Sequence, residues 1–227
     1  MCKKCIIDES VASKYLRDMK DSFLNRRIRY SYTNVTLKLI IINVLVFFLT
    51  EYLYPRSVYY LAMIPSFVLH GYVWQFFTYM FVHGGFSHVL FNMLGLYIFG
   101  SMVERRIGSK EFLLFYLLTG TLSGIFSFVA YLLAGVNVVL VGASGALYAV
   151  MLLFAVLYPY AVVYVFGLIP MRAPLLVAVY FVIELVSQLT GLNGGVAHLT
   201  HLAGLLFAYL YCLVRLRLNP VKEWRRR

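Results

Sequence analysis

Six side chains offer chemistry in a chain that is otherwise mostly apolar: His88, Asn92, Ser144, Glu184, His198 and His201, each set in or at the start of a hydrophobic run. A polar or ionisable group in such a run is costly in a membrane, so each is a functional candidate by default. Ser144 lies in Val141-Gly142-Ala143-Ser144-Gly145-Ala146. A serine hydroxyl is a weak nucleophile until an adjacent base takes its proton, and His198 and His201 are candidate bases. Attack on a carbonyl produces an oxyanion. His88 and Asn92, at i and i+4 on one helix face, are donors suited to stabilising it together with the Ser144 backbone N–H. The chemistry of the set is acyl transfer.

Each residue also has a plainer reading. Gly142, Ala143, Gly145, Ala146 and Ala149 around Ser144 are all small, which suits a helix packing seam with the hydroxyl bonded back to its own helix. His88 and Asn92 could be interhelical glue. A second small-residue pair, Gly204 and Ala208, weighs against the plain reading, because His201 lies about one turn before Gly204. Packing one seam on the other brings His201 toward Ser144.

The elements that position these residues follow from composition. The 227 residues are 62% hydrophobic and 13% charged, with three cysteines. A soluble domain is ~45–50% apolar, and disorder, coiled coils and disulfide scaffolds need more polar residues or more cysteine. What remains is an all-α polytopic membrane protein. With ~20 residues per span, six spans are expected at about residues 36–54, 88–103, 112–133, 141–157, 173–189 and 199–216, with a long first loop between the first two.

Basic residues stay on the cytoplasmic side. Lys3, Lys4, Lys14, Arg17, Lys20, Arg26, Arg27 and Arg29 precede the first span, with Lys38 at its edge; Arg215, Arg217, Lys222, Arg225, Arg226 and Arg227 end the chain. Arg105, Arg106, Lys110 and Arg172 fall in the loops after the second and fourth spans, and the alternate loops hold only Arg56. Both termini are therefore expected in the cytoplasm, which divides the chain into a basic segment 1–35, a membrane domain 36–218 and a basic tail 219–227. The +11 net charge is mostly this bias, with anionic lipid as its partner. No basic folded module points to nucleic acid. Cys2 and Cys5 lack the two further ligands of a zinc site and read as reduced thiols, and Cys212 as an apolar filler. No cleavable signal or organelle transit segment is recognised, so a bacterial plasma membrane is expected. On this topology His88 and Asn92, Ser144, and His198 and His201 begin spans that enter from outside, at one depth.

At this point the chain resembles the rhomboid family of intramembrane serine proteases. The resemblance rests on His83-Gly-Gly-Phe-Ser-His88-Val-Leu-Phe-Asn92, on Gly142-Ala143-Ser144-Gly145 and on His201-Leu-Ala-Gly204, in that order and at matching topological positions. It implies a six-span bundle and a Ser/His dyad, Ser144 as nucleophile and His201 as general base and acid. It also implies an oxyanion hole of the Ser144 amide, His88 and Asn92. Gly142 and Gly204 belong to the matching motifs. His83 matches a structural or water-organising histidine, Tyr148 an aromatic on which the catalytic histidine rests, and Glu104-Arg105 a further family position. The loop holding Tyr59, Tyr60, Phe67, Trp74 and Phe76 resembles the family's membrane-embedded first loop.

Of the two histidines, His201 is taken as the base because Leu-Ala-Gly follows it; His198 reads as an interfacial histidine bonded to loop carbonyls. The dyad has no obvious carboxylate, and Glu184 reads as a buried packing or gating group. The expected substrates are transmembrane segments of other proteins, cleaved without metal, nucleotide or other cofactor, with the fifth span and first loop as a lateral gate. Two alternatives are a non-catalytic relative that binds membrane proteins and a small transporter. The first would typically have lost Ser144 or His201, and the second would more naturally show inverted repeats or broken helices.

Overall fold

The computed structural model describes residues 28–165, 167–191 and 196–225, without the side chains of residues 196 and 197. Most of the basic N-terminal segment, with Cys2 and Cys5, and the last two arginines lie outside the described residues. The helices are α1 (Val35–Leu53), α2 (Phe86–Ile107), α3 (Ser109–Leu133) and α4 (Ser144–Leu157). A hairpin of β1 (Val162–Val165) and β2 (Ile169–Arg172) follows, then α5 (Ala173–Thr190). Helix α6 (Val196–Tyr211) continues through a widened turn at Cys212–Leu216, and α7 (Pro220–Arg225) closes the description. The hairpin was not expected from an all-α reading. It forms where the β-branched run Val162-Val163-Tyr164-Val165 pairs antiparallel with Ile169–Arg172 across a turn in which Gly167 has φ +73°.

Among the described residues, five helices are long and apolar enough to cross a membrane: α1, α2, α3, α5 and the His198–Leu216 part of α6. Their exposed faces carry large apolar side chains such as Leu45, Phe91, Leu133 and Leu189, as a lipid environment demands. The remaining one, α4, is shorter than the expected fourth span. Its 14 residues rise ~21 Å, less than the ~30 Å hydrocarbon thickness. It is shorter because the chain before it is held extended. Leu140 and Met63 exchange both backbone hydrogen bonds (2.9 and 3.0 Å), and the Gly142 N–H donates to Tyr79 O at 3.0 Å. The non-helical backbone before α4 is therefore paired with protein, and the helix starts at Ser144.

Eleven of the fourteen α4 residues are buried, which makes α4 the hub against which α2, α3, α5 and α6 pack. The closest approach is to α6. A Cβ built on Gly204 would lie 2.1 Å from the carbonyl oxygen of Gly145, so only glycine permits this crossing.

The first loop is ordered rather than loose. Gln75 is buried and accepts the Ile64 N–H at 3.0 Å while donating to Tyr59 O at 2.8 Å. Thr78 donates to Leu61 O and Trp74 Nε1 to Tyr60 O. Tyr59, Tyr60, Trp74 and Phe77 are exposed, while Tyr79 and Met80 are buried against α3, where Gly120 and Gly124 leave room for them.

At the opposite end from Ser144 the fold closes with ion pairs and caps. Asn34 sits in the left-handed region (φ 53°) and its side chain does not cap α1. The cap comes from another span: the buried Glu104 carboxylate accepts the N–H groups of Val35 and Thr36 (2.7 and 2.8 Å) and the Ser109 hydroxyl. Glu104→Ala is expected to strand these buried donors, costing on the order of 3 kcal/mol at ~1–3 kcal/mol for each uncompensated group. A lower midpoint in a detergent unfolding titration measures it. Glu111 similarly pairs with Arg215 through two 2.9 Å bonds, and Trp224 of α7 donates to Ala155 O at 3.0 Å, folding the tail onto α4.

Candidate active site

Three helix starts converge at one end of the bundle. Ser144 is the first residue of α4, at the positive end of its dipole, where the leading N–H groups have no acceptor within the helix. His201 lies in the first turns of α6, and Gly145 against Gly204 brings the two helices close enough for Ser144 Oγ and His201 Nε2 to lie 2.7 Å apart. The His201 ring stacks on Tyr148, with ring centroids 4.3 Å apart and planes 6° from parallel. Both members of the pair are partly exposed at this end. Thr200, beside His201, was not singled out from the sequence. Its hydroxyl hydrogen-bonds Ser127 of α3 at 2.7 Å and pins this turn of α6. Two hydroxyls at matching depth in apolar helices were the available signal.

His88 projects from the first turn of α2. Its Nδ1 accepts the Gly84 N–H in a long contact of 3.4 Å, which leaves Nε2 to carry the ring proton. A Cβ placed on Gly142 would fall 2.8 Å from that Nε2 and 3.7 Å from Ser144 Oγ. Gly142, with φ +117°, thus keeps open the space between a ring N–H donor and the hydroxyl. Asn92 is buried, and its Nδ2 donates to the carbonyl of His88 one turn earlier, at 2.9 Å. One of its donors is therefore spent within α2, and its Oδ1 has no partner.

His83 is buried behind His88, edge-on to it at 5.1 Å, and its Nε2 lies 3.5 Å from the Ala143 N–H. Burial, and then the neighbouring His88, push its pKa down to about 4. The ring is neutral at neutral pH and serves as an acceptor that steadies the turn before Ser144.

Glu184 is buried, as its reading as a packing or gating group expects, and it also meets the catalytic candidates. Its carboxylate, on α5, lies against both histidines of α6: Oε1 is 3.0 Å from Nδ1 of His201, and Oε2 is 2.5 Å from Nδ1 of His198. The Tyr148 hydroxyl donates to Oε1 as well. The His201 contact is close enough for charge pairing but is not an aligned hydrogen bond, and Nδ1 has no other partner. His198, expected at loop carbonyls, is bonded through Nδ1 to this carboxylate, and residues 192–195 of the loop before it lie outside the described residues. Sequence spacing gave the depth of Glu184 but not the rotation of α5 that turns it inward.

Glu184, His198 and His201 offer three ligand atoms within 4.8 Å of one another. The 2.5 and 3.0 Å separations are those of hydrogen-bonded or ion-paired partners, shorter than the ~3.3 Å between two ligands on tetrahedral zinc. The cluster is therefore read as a polar network centred on the Glu184 carboxylate.

The arrangement offers a hydroxyl on a base, a helix N-terminus and a ring N–H across a gap, which suits attack on a carbonyl. Comparison with known proteins places it in context. A model of the rhomboid domain matches residues 70–218. Rhomboid-like protein 15 of Arabidopsis thaliana is 31% identical over 168 residues, 68% of this chain and 40% of that protein. Rhomboid protease GlpG of Haemophilus influenzae is 30% identical over 118 residues, 52% of this chain and 59% of that protein. Rhomboid protease GluP of Bacillus subtilis is 40% identical over 89 residues, 38% of this chain and 18% of that protein. Each match covers less than two thirds of the relative's own length. Motif order, helix arrangement and a family model that matches most of the sequence agree, and the chain belongs to the rhomboid family.

Proposed function

We propose that this protein is an intramembrane serine endopeptidase that cleaves peptide bonds in or beside transmembrane segments of other membrane proteins. The observation that carries this reading is the 2.7 Å contact between Ser144 Oγ and His201 Nε2 at the partly exposed starts of α4 and α6. His201 Nε2 takes the hydroxyl proton as Oγ attacks the carbonyl carbon. The oxyanion is held by the Ser144 N–H and the His88 Nε2–H, with Asn92 contributing its remaining N–H. Collapse breaks the C–N bond, and the leaving amine takes the proton from His201. A water activated by the same nitrogen then hydrolyses the ester and restores Ser144. No metal or nucleotide is invoked.

Substrates reach the site laterally, past α5 and the first loop. A helix hides its carbonyls in its own hydrogen bonds, so segments with helix-weakening residues near the scissile bond are favoured. Both termini are assigned to the cytoplasm from the lysine and arginine distribution, in a bacterial plasma membrane. The test is labelling of the detergent-solubilised, folded protein with a fluorophosphonate. A stoichiometric adduct mapped to Ser144 by mass spectrometry is expected, together with cleavage of a transmembrane reporter in proteoliposomes. Folded protein that neither labels nor cleaves would be a binding factor instead.

A further inference from the structure

The proton of Ser144 can pass to His201 only if Nε2 is bare, which requires the neutral ring to carry its proton on Nδ1. In the structure Nδ1 is buried, and the Glu184 carboxylate is the group that faces it, at 3.0 Å. That carboxylate is only 5% exposed in an apolar helix, a position that is costly without compensation. It is compensated from three directions, by the Tyr148 hydroxyl, by His198 and by His201. Tyr148 makes two of the contacts that orient the base, since its ring stacks on His201 and its hydroxyl holds Glu184.

We propose that Glu184 is the positioning carboxylate of His201, so that the site works as a Ser144–His201–Glu184 triad with Tyr148 and His198 fixing the acid. The proposal rests on the protease reading. In the resting state Glu184 selects the Nδ1–H tautomer. Once His201 has taken the serine proton, the imidazolium sits 3.0 Å from a fixed negative charge, and this attraction is absent before proton transfer. The groups facing His201 are Glu184 from α5, Tyr148 from α4, His198 on α6 and, more distantly, His88 from α2. Glu184 supplies the negative charge, and Tyr180 adds only an edge-on aromatic contact to Tyr148.

The experiment compares wild type with Glu184→Gln and Glu184→Asp in detergent, reading kcat, KM and the unfolding midpoint. Glu184→Gln is expected to lower kcat about 10²–10³-fold with KM within about threefold, because the lost contact acts in the transition state. Glu184→Asp keeps the charge and is expected to recover at least about tenfold of the kcat lost in Glu184→Gln. A Gln variant within about threefold of wild type in kcat overturns the proposal. Should Glu184→Gln fail to fold, the wild-type protein labelled with 15N-histidine still decides: protonated Nδ1 on His201 at neutral pH supports the role, and bare Nδ1 overturns it. Failure of the protease reading looks different, as wild type itself would then neither label nor cleave.

Discussion

Replacing Ser144 by alanine, or His201 by alanine, is expected to abolish cleavage of a transmembrane reporter, a loss on the order of 10⁶-fold in a serine hydrolase, and the double variant is expected to be no worse than either single one. The non-additivity is the informative part. Oγ and Nε2, 2.7 Å apart, act as one proton-transfer unit, so removing either removes the whole. A serine that only packed against its helix would give the opposite pattern, with small and additive effects. Stability should hardly change in Ser144→Ala, because one hydrogen bond at a partly exposed site contributes about 1 kcal/mol, whereas His201→Ala also removes the ring stacked on Tyr148 and a group facing buried Glu184 and is expected to lower the unfolding midpoint. Reporter cleavage in proteoliposomes alongside a thermal unfolding scan measures both. Wild-type-like cleavage by either single variant would remove the proposed mechanism.

Gly204→Ala is expected to have the second largest effect, and by sign alone it separates the structure from helix propensity. Alanine stabilises an unconstrained helix position by about 1 kcal/mol relative to glycine. Here the added Cβ would meet the carbonyl oxygen of Gly145 at 2.1 Å and its carbonyl carbon at 3.0 Å. That neighbour is backbone, which cannot rotate away, so α4 and α6 must part. The overpacking cost of about 3 kcal/mol outweighs the propensity gain. Separation also carries His201 away from Ser144, and a misplacement of about 1 Å at a reacting pair costs on the order of 100-fold. The expected result is a lower unfolding midpoint together with at least that loss of turnover, measured on the same preparation. A variant as stable and active as wild type would mean that the Gly145–Gly204 crossing does not set the pair.

Much of the site was readable because a membrane makes polar residues conspicuous. Ser144, His201, His88 and Asn92 were selected as polar exceptions in apolar runs, and the basic residues placed them at span starts sharing one depth. What did not follow was direction. Asn92 shares a helix face with His88, yet its amide donates to the His88 carbonyl. His198 was expected at loop carbonyls and is bonded to Glu184. The fourth helix starts at Ser144 and not three residues earlier, because the first loop pairs with Leu140 and Gly142. These outcomes depend on partners far away in sequence, and hydropathy carries no information about them.

The sequence by itself determined a polytopic helical membrane protein, the approximate spans and the identity of a serine, histidines and an asparagine at a common depth. Those conclusions follow from burial costs, which depend on residue type and on position along the chain. The tertiary structure decided which atoms meet. Glycine against backbone at the α4–α6 crossing places Oγ on Nε2, Gly142 opens the gap facing His88, and the rotation of α5 turns Glu184 onto the far nitrogen of the same histidine. Each is a contact between separate helices, set by packing to within a few tenths of an ångström, and no one-dimensional pattern encodes that registry.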